Sequence, residues 1–151
     1  MNKIRLFQLL IAIVIASQGI FYLLGGASAA KSMSITTFSA FRNAIDQVIA
    51  SRLRILYYAA LVLGLVVLFL LRKEMSGPTF ILSLVALLMV MVDIVLALKI
   101  SLPINKAFHS YPNGHDAATW KNLQFSWIRM IVYRGICAII ALLALLLSWK
   151  K

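Results

Sequence analysis

Four apolar runs, each long enough to cross a lipid bilayer, constrain this chain more than any other feature. They cover about residues 6–24, 55–71, 79–100 and 129–148. A helix of roughly 17–25 apolar residues spans the ~30 Å hydrocarbon core of a membrane. The sequence therefore predicts an all-α integral membrane protein, a four-helix up-down bundle that forms a single domain over residues 1–151.

Composition agrees with a membrane protein. Hydrophobic residues make up 63% of the 151 residues and charged residues only 13%, which leaves too little polar surface for a soluble globule. The net charge of +11 would suggest nucleic acid binding in a soluble protein. Here the basic residues lie mostly at the ends of the apolar runs, so we expect anionic lipid headgroups as their partners and no nucleic acid.

The first apolar run admits two interpretations. It follows Lys3 and Arg5, and residues 25–31 (GGASAAK) have the small side chains of a signal-peptide cleavage site. The apolar part of a signal peptide is only ~7–15 residues long, whereas residues 6–24 can cross the bilayer. We therefore favour a retained span, with a cleaved signal peptide as the alternative.

The second span has a long polar extension before it. Residues 34–54 show apolar side chains at helical spacing, with Arg42 and Asp46 as an i,i+4 pair on another face. No Gly or Pro separates this segment from the second apolar run, and Ser34 or Thr36 can cap its start. At ~1.5 Å per residue a helix over 34–71 would reach ~55 Å, so its first part must project from the bilayer core or bend along its surface.

The fourth span has a similar extension, over residues 117–128, which Asp116 can cap. We expect Pro103 to stop the third helix and a polar loop to follow it. Both extensions lie at N-terminal helix ends, so they should form a helical cap on one side of the membrane. The opposite, short ends are basic, which predicts cytoplasmic termini in a bacterial inner or plasma membrane; these residues are Lys3, Arg5, Arg72, Lys73, Lys150 and Lys151.

Polar side chains should collect at one depth beneath this cap. Arg134 lies about one turn inside the fourth apolar run, and Asp93 is the acid within a span. An intramembrane arginine is unfavourable by at least ~2.5 kcal/mol unless it faces protein, water or an acid. We predict an Asp93–Arg134 pair, with Arg54 as the other candidate partner, and assign catalysis to Asp93 and Arg134. The predicted ligand-binding residues around them are Gln18, Tyr22, Arg54, Tyr57, Asn105 and Trp127.

The same residues also have a purely structural interpretation. An ion pair between spans can simply fix helix register, and single polar residues often make one interhelical hydrogen bond. Trp120 and Trp127 can form an interfacial aromatic belt, the role we expect for Trp120. The number of polar and aromatic residues at one depth favours a pocket.

No metal site or cofactor is expected. His109 and His115 lie in the predicted loop, where their spacing fixes no ligand geometry, and no further Cys or carboxylate cluster accompanies them. We interpret both as exposed loop histidines. Phosphate-binding loops and nucleophile elbows are also absent from the sequence.

Residues 102–105 (LPIN) resemble the V-P-L/I-N motif of the anthrone oxygenase-like family of small four-helix membrane proteins. Trp120, Trp127 and Arg134 are similar to the tryptophan-rich entry to that family's fourth span, and residues 41–48 (FRNAIDQV) loosely match its polar helix. The resemblance implies the same four-helix fold. Some members are implicated in oxidation of anthrones to anthraquinones without a cofactor, whereas most have no assigned activity.

The chain departs from that family at Ile131, where a histidine is usual. An anthrone oxidation requires a base to remove a substrate proton. Without the histidine, Asp93 is the remaining candidate base, followed by Tyr57 or Tyr133. The resemblance thus supports the fold more strongly than the chemistry.

Three functions remain open from the sequence. We expect a polar pocket that binds a small hydrophobic molecule, aromatic or quinone-like, with oxidation as the reaction class if the protein is an enzyme. The alternative is a non-catalytic accessory subunit or assembly factor that docks a protein partner through its projecting helices. A transport role would require a homo-oligomer, because the sequence has no internal repeat or broken helix.

Overall fold

A computed structural model of the chain describes residues 2–149, except for the side chain of Asn2; Lys150 and Lys151 of the predicted basic end lie outside this range. Most of the described residues are helical, and they contain no strand. The helices are α1 (Asn2–Phe21), α2 (Ala27–Ser32), α3 (Ile35–Leu70), α4 (Pro78–Leu96), α5 (Leu102–His109) and α6 (Ala117–Trp149).

Within the described residues these helices form four rods that are long and apolar enough to cross a membrane. The first rod joins α1 and α2, the second is α3, the third joins α4 and α5, and the fourth is α6. The predicted fold class, an all-α multi-pass membrane bundle, is therefore confirmed. Helix α3 runs without interruption from the polar extension into the second apolar run, as the absence of Gly and Pro between them predicts.

Two side chains cap the long helices where the sequence places them. The Ser34 hydroxyl accepts a hydrogen bond from the Thr37 N–H at 3.1 Å, so Ser34 rather than Thr36 caps α3. The Asp116 carboxylate accepts one from the Thr119 N–H at 2.8 Å before α6. Hydrogen bonding from Thr119 also lowers the pKa of Asp116 below its ordinary value.

The third rod corrects the predicted role of Pro103. The chain passes from α4 through a wide π turn, Ala97–Ser101, directly into α5, and Pro103 lies in the first turn of that helix. Proline fits there because its missing N–H is not needed in a first turn. The helix consequently continues to His109, and the loop is confined to residues 110–116.

The first rod bends before α2. Gly25 has φ 153°, a conformation that other residues rarely adopt, and it breaks the helix within the turn Tyr22–Gly26. Helix α2 then packs on α6, where the Gln124 amide donates to the backbone oxygens of Ala30 (2.8 Å) and Met33 (3.2 Å). The segment that resembles a cleavage site is thus part of the helical bundle.

One end of the bundle, which we call the closed end, is packed with small side chains. Ala12, Ala86, Ala141 and Ala144 are buried where α1, α4 and α6 meet. Farther along, α1 crosses α6 at Gly19 and Gly135. A Cβ atom added to Gly19 would lie 2.4 Å from the Cα of Gly135, so the backbones are in direct contact.

The opposite end contains an aromatic cluster and a cavity, and we call it the cavity end. Rings of Phe38, Phe108, Tyr22 and Trp127 meet edge to face with centroids 5.2–5.6 Å apart. Trp120 packs on this cluster and is only 2% exposed. The belt role expected for Trp120 is therefore wrong, because a buried ring cannot lie among lipid headgroups.

Candidate functional site

Three side chains from three rods meet at the floor of the cavity end. The Arg134 Nε of α6 donates to the Asp93 Oδ1 of α4 at 2.6 Å. The Tyr57 hydroxyl of α3 donates to Asp93 Oδ2 and accepts from Arg134 Nη2 at 3.2 Å. We call these residues the floor triad. The predicted Asp93–Arg134 pair is present, and Arg54 is not the partner of Asp93.

Burial makes this pairing essential. Asp93 is 1% exposed and lies on the apolar helix α4, where an unpaired carboxylate would be strongly unfavourable. Both of its oxygens are occupied, one by Arg134 and one by Tyr57. The carboxylate therefore holds the other two side chains in place.

Arg134, in contrast, keeps donors for another molecule. A guanidinium has five N–H bonds, of which the Nε and one Nη2 hydrogen are used within the triad. The remaining three N–H bonds are not used within the triad, and the Arg134 side chain that carries them lines a cavity. A carbonyl, phenolate or carboxylate oxygen is the chemical group that such donors bind.

A second polar group, the roof cluster, lies farther toward the cap. Asn105 Oδ1 accepts from Arg42 Nε at 3.1 Å and from Trp127 Nε1 at 3.0 Å. Arg42 also donates to Asp46 at 2.6 Å, and its guanidinium carbon lies 5.3 Å from the ring centroid of Trp127. These contacts lock Arg42, which is only 5% exposed.

A cavity of ≈ 400 Å³ separates the floor triad from the roof cluster. This volume is within the usual ~300–1,000 Å³ range of small-molecule sites. Along α6 the two polar groups are seven residues apart, about 10 Å at 1.5 Å per residue. Apolar side chains line much of the rest of the cavity; they include Ile45, Ile49, Leu53, Leu61, Ile94 and Leu98.

The predicted site residues converge on this cavity. Seven of them line it directly, namely Gln18, Tyr22, Arg54, Tyr57, Asn105, Trp127 and Arg134. Asp93 lines a small adjoining void of ≈ 10 Å³, which Gln18, Tyr57 and Arg134 also border. The structure thus brings all eight together, while their catalytic and binding roles stay predictions.

The cavity opens sideways between α3 and the third rod. Ile49, Arg54 and Tyr58 of α3 line it and are exposed, and so are Leu98 and Leu102 on the opposite side. Exposed apolar residues on a membrane helix face lipid. The cavity is therefore accessible from the side of the bundle, between α3 and the third rod.

Sequence reasoning missed Arg42 as a site residue. The Arg42–Asp46 pair was expected on another face, but Arg42 points inward and lines the cavity with Asp46. The spacing of residues along the helix could have identified Arg42 as a site residue. Positions 42, 46, 49, 53 and 57 share one helix face, which leads from Arg42 to Tyr57.

The remaining candidates lie elsewhere. Tyr133 is 48% exposed on the outer face of α6, away from the cavity. His109 is exposed at the end of α5, with its Nε2 3.2 Å from Asp46 Oδ2, and His115 packs its ring on Trp120. Among residues 2–149 no three His, Cys, Asp or Glu side chains come together as a metal-binding group.

Comparisons with protein-family models, with curated proteins and with solved structures yield no match to this chain. The resemblance to the anthrone oxygenase-like family therefore rests on the sequence motifs alone.

Proposed function

We propose that this protein binds a small hydrophobic molecule, aromatic or quinone-like, in the cavity between the floor triad and the roof cluster. The observation that carries the proposal is the cavity itself, with apolar walls and a polar group at each end. Ligand sites commonly combine an apolar lining with a few fixed polar groups. Cytoplasmic termini, from the density of basic residues at the short ends, are part of the same proposal.

The polar groups suit a ligand with oxygen atoms. Arg134 is held by Asp93 and Tyr57, so its free N–H donors have a fixed direction before the ligand arrives. Such preorganisation lowers the entropy lost on binding. A carbonyl or phenolate oxygen at the floor would accept from Arg134 while the rings contact the apolar wall.

Oxidation of the ligand is a further expectation that comes from the family resemblance. In that case Arg134 would stabilise an oxyanion that forms on the substrate. We assign Asp93 the role of positioning Arg134, because one of its oxygens accepts from Arg134 and the other from Tyr57. Ligand binding is therefore the proposed function, and oxidation of the ligand is an additional expectation.

Filling the cavity tests the proposal. Ala50 lines the cavity, whereas Ala44 is exposed on the same helix and does not. We expect wild-type protein, purified from its membrane in mild detergent, to carry a small hydrophobic molecule detectable by native mass spectrometry. Ala50→Phe should remove that molecule and Ala44→Phe should retain it, with both variants folded.

Two results would count against ligand binding. One is a wild-type protein that carries no small molecule under these conditions. The other is retention of the same molecule by folded Ala50→Phe protein, which would place its binding outside the cavity.

A further inference from the structure

The charges on the cavity wall do not balance. Three arginines and two aspartates border the cavity and the small void below it. Arg134 pairs with Asp93 and Arg42 with Asp46, at 2.6 Å in each case. Arg54 forms no salt bridge with any residue in the range 2–149, so the wall has one uncompensated positive charge.

Arg54 places this unpaired positive charge at the edge of the cavity. It lies immediately before the apolar run that begins at Ile55, and one helical turn before Tyr58 at the cavity opening. An arginine at the end of a spanning segment places its guanidinium at headgroup depth while its methylene groups cover apolar surface. Arg54 is therefore a cation at the boundary between the cavity and the membrane interface.

We propose that the cavity takes a membrane-resident amphiphile with one acidic group, a carboxylate or a phosphate. The molecule enters between α3 and the third rod, and its acid binds Arg54. Its apolar body contacts Ile49, Leu53 and Leu98. This inference rests on the proposed function, since it names the class of molecule that the same cavity binds.

Charge and shape together select this class. A single acid neutralises the one unpaired arginine, whereas a neutral molecule leaves it uncompensated. A free inorganic anion would gain nothing from the apolar wall, and one exposed guanidinium binds such an ion only weakly. Only an amphiphile uses both features of the site.

Brominated lipids test this, because bromine quenches tryptophan fluorescence at short range and Trp127 lines the cavity. The probes are 9,10-dibromostearic acid and the matching alcohol, titrated into wild-type protein in phosphatidylcholine nanodiscs. We expect the acid to quench at about tenfold lower concentration than the alcohol, the effect of one charge-assisted hydrogen bond. Trp127→Phe should abolish most of this quenching.

Arg54→Gln and Arg52→Gln form a matched pair of variants. Both arginines are exposed on α3 two residues apart, but only Arg54 lines the cavity. Arg54→Gln should weaken binding of the acid about tenfold and leave the alcohol unchanged. Arg52→Gln should behave as wild type. Equal losses in the two variants, or no loss in Arg54→Gln, would overturn the proposal.

Three further measurements distinguish a phospholipid from a free anion as the source of the acid. They also distinguish failure of this inference from failure of the proposed function. If phosphatidylglycerol in the nanodisc competes with the acid in wild type but not in Arg54→Gln, the proposal holds and the natural occupant is a phospholipid. Competition by millimolar inorganic phosphate would overturn the amphiphile class. Quenching of Trp127 by both probes that persists in Ala50→Phe would instead refute ligand binding in the cavity, whatever the ligand's charge.

Discussion

The two ends of this bundle belong to the same four rods and have opposite interiors. At the closed end, alanines of α1, α4 and α6 bring the helices close together and leave little space. At the cavity end, aromatic and charged side chains of α3, α5 and α6 line a cavity of ≈ 400 Å³. The end without the cavity is therefore the one packed with small side chains, which allow membrane helices to approach closely.

The ends also differ in how they use polar groups. At the closed end, Arg5 donates to the Ser148 hydroxyl at 3.0 Å near the helix termini. At the cavity end, Asp93 and Arg134 pair inside the apolar part of the bundle. Buried charge is thus concentrated where the cavity lies, as expected if these groups serve a ligand as well as the fold.

The largest effect is expected where the two ends join. Gly19→Leu places a side chain where even a Cβ would lie 2.4 Å from the Cα of Gly135, so α1 and α6 must separate. Overpacking of this kind should destabilise the protein by about 3 kcal/mol or more. Thermal unfolding in detergent measures the loss, and Ser17→Thr, which adds a methyl group on an exposed position of α1, is the control. A Gly19→Leu protein as stable as this control would disprove the tight crossing.

Asp93→Asn should have an effect of similar size. The substitution leaves the Arg134 guanidinium charged but removes the carboxylate that pairs with it in the floor triad. The unpaired buried charge should lower the free energy of unfolding by about 3–5 kcal/mol. Adding Arg134→Gln removes the unpaired charge and should restore much of that loss. Chemical unfolding of the single and double variants measures this coupling.

The same variants separate a binding role from a role in helix register. If the double variant regains stability but no longer retains the hydrophobic molecule, the floor triad serves binding. Additive losses in the single variants would show that Asp93 and Arg134 do not act as a pair.

The smallest effect is expected at the loop before α6. Because hydrogen bonding from Thr119 lowers the pKa of Asp116, the charged cap stabilises the folded state. That contribution is complete above the ordinary pKa of 3.8 and is lost as the pH falls through the lowered value. The Thr119 amide shift, followed by NMR against pH, should therefore titrate below 3.8, and Asp116→Asn should abolish the titration. A midpoint at or above 3.8 would contradict the cap.

Much of the fold was predictable because hydrophobic length and capping act locally. The four spans, the unbroken α3 and the caps at Ser34 and Asp116 follow from such patterns. The Asp93–Arg134 pair was also predictable, because a buried acid and a buried base at one depth have few alternatives.

The errors concern features that depend on neighbouring helices. Pro103 was expected to end a helix, but the π turn before it lets the rod continue. The sequence predicts an interfacial position for Trp120, but the ring is buried in the aromatic cluster. It also places Arg42 on a face away from the apolar residues of α3, whereas Arg42 points inward with Asp46. The Gly19–Gly135 crossing was not recognised, because no local pattern shows which glycines of two distant helices will meet.

The π turn Ala97–Ser101 has a consequence for how the third rod can vary. The turn accommodates one residue more than a regular α-helical turn, so α5 is rotated relative to α4. Deletion of one residue there would restore regular α-helical geometry and rotate Asn105 by about 100° around the axis of the third rod. The amide would then leave Arg42 and Trp127, while Asp93 on the other side of the turn would stay in place. The length of this one segment therefore sets the register between the two polar ends of the cavity.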